Sequence, residues 1–186
     1  MSGIEWRFMA FDVSIHAPFG ANLEEATPLP NKFYLPEGGG FKPESVLDEL
    51  TAAQLYAVLR LRSEVFVVEH AYIFQDMDGA DPQAMHVLGS AQGALVAYAR
   101  CLAAGVKFAE ASIGRIVTAP SVRGSGAGHA LVEQAIACLS RQWGAQAIRI
   151  GAQTRLERFY CLHGFESTGR HYLEDGIAHL EMLRRV

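Results

Sequence analysis

Residues 111–139 read ASIGRIVTAPSVRGSGAGHALVEQAIACL. The first eight, Ala111–Thr118, are mostly small or β-branched and predict a strand, which Ala119-Pro120 ends. The run Arg123-Gly124-Ser125-Gly126-Ala127-Gly128 follows as a turn with three alternate glycines. It opens a helix with Leu131, Ala135, Cys138, Leu139 and Gln142/Trp143 on its apolar side. A strand, a glycine turn and a helix start outline an anion site. The first amides of a helix have no partner in the helix, and its dipole is positive there. Glycines let the backbone approach a phosphate closely, and Arg123 adds a formal charge at the mouth. Two phosphate loops are excluded. No Gly-Lys-Ser/Thr follows, and the third glycine of a dinucleotide fingerprint would fall at 129, which is His129. On the turn alone, a plain connection between strand and helix explains the pattern equally well.

Outward from this stretch, the elements alternate. Ile4–Phe11 reads as a first strand, and Thr51 caps a helix carrying Leu55, Val58, Leu59, Arg62, Val65 and Phe66 at helical spacing. Residues 69–83 form a polar loop, and Met85–Ala91 and Ala94–Leu102 a hairpin around Gln92-Gly93. After the glycine-turn helix come a short strand at Ala147–Ala152 and a short helix at Arg155–His163, stopped by Gly164. Phe165–Tyr172 and Ala178–Leu183 make a last pair across Glu174-Asp175-Gly176. This order predicts an α+β (α/β mixed) sheet with a helix crossover between neighbouring strands.

The chain of 186 residues is expected to be a single domain spanning 1–186. Residues 12–43 interrupt it as an irregular arm with five of the seven prolines, the Gly38-Gly39-Gly40 run, and Phe19, Phe33, Tyr34 and Phe41. Those aromatics are expected to pack on their own domain; packing on a second copy, as a homodimer, is the alternative. Half the residues are hydrophobic, enough for a real core. The net charge of −4 argues against nucleic acid as a partner. Cys101, Cys138 and Cys161 show neither a disulfide framework nor metal-ligand spacing and are expected as thiols in a reducing cytosol. The first 20 residues carry Glu5, Arg7 and Asp12 and no apolar run. The longest uncharged stretch, Pro82–Ala99, holds Gln83, His86, Ser90 and Gln92. No membrane partner is expected, and the chain should be cytoplasmic.

A second constellation bears on the glycine turn. Gln153 closes a strand, and Leu156, Phe159, Tyr160, Gly164 and Phe165 follow. Together with Arg123, Gly126 and Gly128, this resembles the GNAT acetyltransferase superfamily, whose two motifs occur in this order. The segments "LRSEVFVVEH", "QDMDG", "HVLG", "LVAYAR", "IGRIVT", "IGAQ" and "EDGIAHLEM" are similar to its ElaA-like branch. The resemblance covers roughly residues 46–184 and Ile4-Glu5-Trp6; His70, the "AYIF" stretch and the 12–43 arm depart from it. It implies a twisted, mostly antiparallel sheet splayed at a central parallel pair, with helices on both faces.

The resemblance implies acetyl-CoA (coenzyme A) as cofactor and an N-acetyltransferase acting on a primary amine of a small molecule or peptide. The pyrophosphate would lie on the amides of Arg123, Gly124, Ser125, Gly126, Ala127, Gly128 and His129. The pantetheine arm would lie along Ile116, Val117 and Thr118, with an amide near Val117 facing the thioester oxygen. Gln153 closes the adjoining strand, and Arg158 and Arg155 are candidates for the 3′-phosphate. Tyr160 is the implied general acid. As base for the amine proton the candidates are His179 and Glu69, then Glu64 and His86. Asp76 and Asp78 are explained by turn formation, with attraction of a cationic amine as the alternative. Asp76-x-Asp78-Gly79 lacks the rest of a calcium loop, so no metal is expected. Two other classes remain: a CoA-binding sensor without activity, and a nucleotide-phosphate binder.

Overall fold

The computed structural model describes residues 4–10, 48–71 and 73–186. The 12–43 arm lies outside the described residues. The elements are β1 (Glu5–Ala10), β2 (Asp48–Glu49), α1 (Ala52–Arg62), β3 (Met85–Ala91), β4 (Ala94–Leu102), β5 (Ala111–Thr118), α2 (Ala127–Trp143), β6 (Ile148–Gln153), α3 (Glu157–Cys161), β7 (Phe165–Glu174) and β8 (Ile177–Arg184). The sheet runs β2-β1-β3-β4-β5-β6-β8-β7. Its pairs are antiparallel except β5 with β6 and the two-residue β2 with β1. The expected mixed sheet with a central parallel pair is therefore present. Among the described residues, no helix is long and apolar enough to cross a membrane.

Period-two alternation along β4 separates two cores. Ala97, Ala99 and Cys101 point to a cluster with Leu131, Val132, Ala135, Cys138 and Leu139 of α2. Tyr98, between them, points to the opposite face with Val58 and Leu61 of α1 and Val65. Helices thus cover both faces. Cys101 and Cys138 are buried thiols and Cys161 is an exposed one.

Thr51 caps α1 as its sequence indicates: the Gln54 amide donates to Thr51 Oγ1 at 3.3 Å, and the Thr51 amide to Gln54 Oε1 at 2.9 Å. The helix then widens into π-type winding over Ser63–Glu69, where the His70 amide donates to the Val65 carbonyl. The expected helix at 155–163 is shorter, a 3₁₀ turn at Thr154–Leu156 followed by α3.

The feature that positions the site is a bulge in β5. Pairing with β4 steps from Tyr98↔Val117 to Arg100↔Gly114, so Arg115 and Ile116 together oppose Ala99. Arg115 has φ +51°, a strained value for a residue with a Cβ. Its side chain is anchored: Nε donates to Asp76 Oδ1 at 2.7 Å, and an Nη to the Asp76 carbonyl at 2.9 Å and Asp78 Oδ2 at 3.1 Å.

Arg115 belongs to a larger ionic cluster. Arg62, fully buried, donates to Asp76 Oδ2 at 2.7 Å and Asp81 Oδ1 at 2.8 Å. Arg100 forks onto Asp78 at 2.6 Å for both oxygens and reaches Asp81 at 2.8 Å. Asp76 and Asp78 were expected as turn formers or amine attractors. Asp78 does accept from the Ala80 amide as a turn residue, at 3.1 Å. Both carboxylates are chiefly engaged by arginines, because two buried guanidinium groups and the part-buried Arg115 beside them need counter-charges. His86, a candidate base, lies in this buried region, with Nδ1 2.8 Å from the Tyr98 hydroxyl and Nε2 3.1 Å from the Asp81 carbonyl.

Two expectations follow. Arg62→Ala leaves Asp76 and Asp81 without one buried counter-charge and should cost about 3–5 kcal/mol, read from the urea midpoint. Stability should also fall in two stages on acidification. Burial pushes His86 down to about 4, so below pH ~6.5 the unfolded chain binds a proton that the folded one does not. Asp78 is held low by Arg100; Asp81 is held low because hydrogen bonds from Arg62 and Arg100 outweigh the opposing effect of burial. Their contribution is complete above pH ~3.9 and is lost as the pH falls below it. Urea titrations across pH 3–8 on wild type and His86→Gln check this: the variant should lose only the first stage.

Candidate functional site

β5 and β6 part ahead of the bulge. They pair only at Ala111↔Ile148 and Ser112↔Arg149. Beyond that, Ile113–Thr118 and Ile150–Gln153 line opposite walls of a cleft of about 780 Å³. Two parallel strands that separate expose backbone donors and acceptors along both inner edges, and an extended ligand can take them up as an added strand does.

The cleft gathers eight of the sequence-derived candidates: Glu69, Ile116, Val117, Thr118, Arg123, Gln153, Tyr160 and His179. Arg155 also lines it, its Nε donating to Gln153 Oε1 at 2.8 Å. Gly124, Ser125, Gly126, Ala127, Gly128 and His129 do not line it; they continue from Arg123 into the start of α2. Gly126 is the N-cap, at φ +89°, a left-handed value that glycine adopts freely. No side chain caps this end, and the Ser125 hydroxyl turns back to donate to the Val122 carbonyl at 2.7 Å. The first amides of α2 are thus left for an outside acceptor. Arg158 is exposed and outside the cleft lining, as is Glu64, which pairs with Arg60 at 3.3 Å. His129 contacts His163, Nδ1 to Nε2 at 3.0 Å, and burial followed by His129 pushes His163 down.

Glu69 and Arg123, assigned separate roles above, meet each other. Arg123 donates both terminal nitrogens to the two Glu69 oxygens, at 2.6 and 2.7 Å, and also reaches the Thr118 carbonyl. The Arg123 hydrogen bonds hold the Glu69 carboxyl below its ordinary value. A carboxylate held ionised by a bidentate guanidinium is a weaker base than a free one. Tyr160 is buried at the cleft wall, and burial alone pushes its hydroxyl up to about 12. It therefore stays protonated across the physiological range and is available as a donor. His179 lines the cleft from β8, opposite Gln153 in register.

Several cleft residues had been given no site role from the sequence: Phe66, His70, Phe74, Lys107, Glu174, Asp175 and Ile177. Nor had Arg62, Arg100, Arg115 and Asp81. An arginine inside an otherwise apolar strand, as in "LVAYAR" and "IGRIVT", is the signal that was available, since such a charge needs a buried partner.

The donor set fits an acyl-CoA. The uncapped start of α2 beside Arg123 suits phosphate, and the splayed strands suit a pantetheine arm with its amides. A family model described as an acetyltransferase (GNAT) domain matches residues 47–186. Protein ElaA of Escherichia coli strain K12 is 39% identical over 140 residues, 74% of this chain and 92% of that protein. An acyl-CoA N-acyltransferase from Pseudomonas aeruginosa superposes with a TM-score of 0.69 at 39% identity, covering 73% of this chain and 92% of that one. The crystal structure of Escherichia coli ElaA gives a TM-score of 0.72 at 30% identity, covering 98% and 99%.

The Arg123–Glu69 pair is 40% and 39% exposed. Exposed pairs contribute little, so Glu69→Gln should change the unfolding free energy by less than ~1 kcal/mol in a urea titration. A loss of several kcal/mol would mean that this contact holds the π-type turn to β5.

Proposed function

The chain belongs to the GNAT acetyltransferase family, and on that premise we propose that it transfers an acetyl group from acetyl-CoA to a primary amine of a small molecule or peptide, directly, within a ternary complex. The observation that carries this reading is the parting of β5 and β6 after two residue pairs, with Tyr160, Arg123 and His179 all lining the cleft between them.

Acyl-CoA bound there supplies an activated thioester carbon. The chain's own residues do the rest. The α2 amides would hold the phosphates beside Arg123, whose terminal nitrogens are on Glu69, and the edge of β5 at Ile116, Val117 and Thr118 would hold the arm. The amide at Val117 would serve as the donor for the thioester carbonyl oxygen. Tyr160, with its buried, protonated hydroxyl, would give the proton to the sulfur leaving group. Among the base candidates, Glu69 is committed to Arg123 and His86 to the buried core, which leaves His179 to take the amine proton.

The function is tested by melting the protein with acetyl-CoA, ATP and NAD, then following acetyl-CoA consumption with polyamines, amino acids, aminoglycosides and peptide N-termini. Acetyl-CoA at ~100 times its Kd should add about 2.7 kcal/mol, and ATP and NAD less. No shift at millimolar CoA would remove the cofactor assignment. A shift without turnover of any amine would favour a CoA-binding protein that does no chemistry.

Tyr160→Phe keeps the ring and removes the hydroxyl. CoA affinity should hold while kcat drops roughly 10²-fold. Wild-type turnover in this variant, with chemistry limiting, would make Tyr160 a packing residue.

A further inference from the structure

His179 sits in a prepared frame on the β7–β8 hairpin. Its Nδ1 lies 3.0 Å from the Ile177 carbonyl oxygen. A carbonyl only accepts, so Nδ1 carries the proton and the neutral ring presents a bare lone pair at Nε2. The Tyr172 ring stacks on the imidazole, with centroids 5.5 Å apart and planes at 25°. Tyr172 is itself held over β6, where its hydroxyl occupies the space that a Cβ at Gly151 would need. The tautomer and the ring plane are thus both determined by neighbours.

The remaining neighbour is Glu174, with Oε2 3.8 Å from His179 Nε2. That separation is too long for a hydrogen bond. It is short enough for an ion pair once the ring is charged. The other cleft carboxylates paired here have arginine partners: Glu69 has Arg123, and Asp78 has Arg100 and Arg115. Glu174 lines the cleft facing a histidine instead, and its side chain is half exposed.

Resting on the transferase reading above, we propose that Glu174 is a positioning residue for His179, holding a negative charge where the imidazolium forms. An N–H bond of the attacking amine breaks and its proton goes to Nε2. The electron pair left on nitrogen makes the new C–N bond, while the C–S pair leaves with sulfur and is protonated from Tyr160. Proton exchange with solvent restores both side chains. Glu174 interacts weakly with the neutral ring and strongly with the charged one. It therefore favours the transition state over the ground state, and its effect belongs in kcat rather than KM.

The test uses the full chain with acetyl-CoA and spermidine, L-lysine, an aminoglycoside and a peptide N-terminus. Wild type is compared with Glu174→Gln, His179→Gln and the double variant. Glu174→Gln should lower kcat about tenfold with the amine KM and the CoA-induced melting shift within twofold of wild type. Adding Glu174→Gln to His179→Gln should change nothing further, since the charge has no imidazolium left to meet. A wild-type kcat in Glu174→Gln, a loss confined to KM, or losses that multiply in the double variant would each overturn the proposal and leave the transferase reading standing. A wild-type protein that binds CoA but acetylates none of the four amines would overturn both.

Discussion

The placement of three arginines against three aspartates underlies the rest of this structure. Arg62 comes from α1, Arg100 from β4 and Arg115 from β5, and all three converge on Asp76, Asp78 and Asp81 in the segment before β3. Each charge taken from water costs several kcal/mol, offset only where a partner meets it with good geometry. Forked contacts of 2.6–2.8 Å supply that geometry for Arg62 and Arg100. The polar loop is thereby tied to a helix and two strands, and Arg115 can be held in a backbone conformation that it would not adopt alone.

The parallel pairing of β5 with β6 ends at Ser112, and the extra residue at Arg115 and Ile116 follows in the stretch of β5 that lines the cleft. The opening is lined by the π-type turn at Val65, Phe66 and Glu69, by Leu156 and Tyr160, and by Glu174 and His179 of the β7–β8 hairpin. The ionic cluster reaches the cleft itself, since Asp78 and Arg115 line it.

The histidines illustrate how position outweighs residue type. His86 and His179 both lie in strands and both are nearly inaccessible. His86 spends its two nitrogens on the Tyr98 hydroxyl and the Asp81 carbonyl, and burial keeps it neutral. His179 uses one nitrogen on its own hairpin and leaves the other toward Glu174 at the cleft. Glu69, on paper an equally good base, is answered by Arg123 from 54 residues away in sequence.

Local patterns alone sufficed for much of this. The Thr51 cap, the apolar stripe of α2, the hairpin around Gln92-Gly93 and the glycine turn at 123–128 all rest on near neighbours, and each is legible because such patterns repeat or close within a few residues. The two motifs around Arg123–Gly128 and Gln153–Phe165 placed the family from the residues alone. What required the tertiary structure were pairings between distant residues. Arg115 with Asp76 and Arg123 with Glu69 cannot be read from either member, since the sequence shows a charge but not the charge that faces it. The bulge at Arg115 is likewise invisible locally, because a left-handed arginine has no signature of its own and persists only where surrounding contacts outweigh its strain. The sequence determined which elements form; which charges are silent and which remain available for chemistry was decided by how those elements pack.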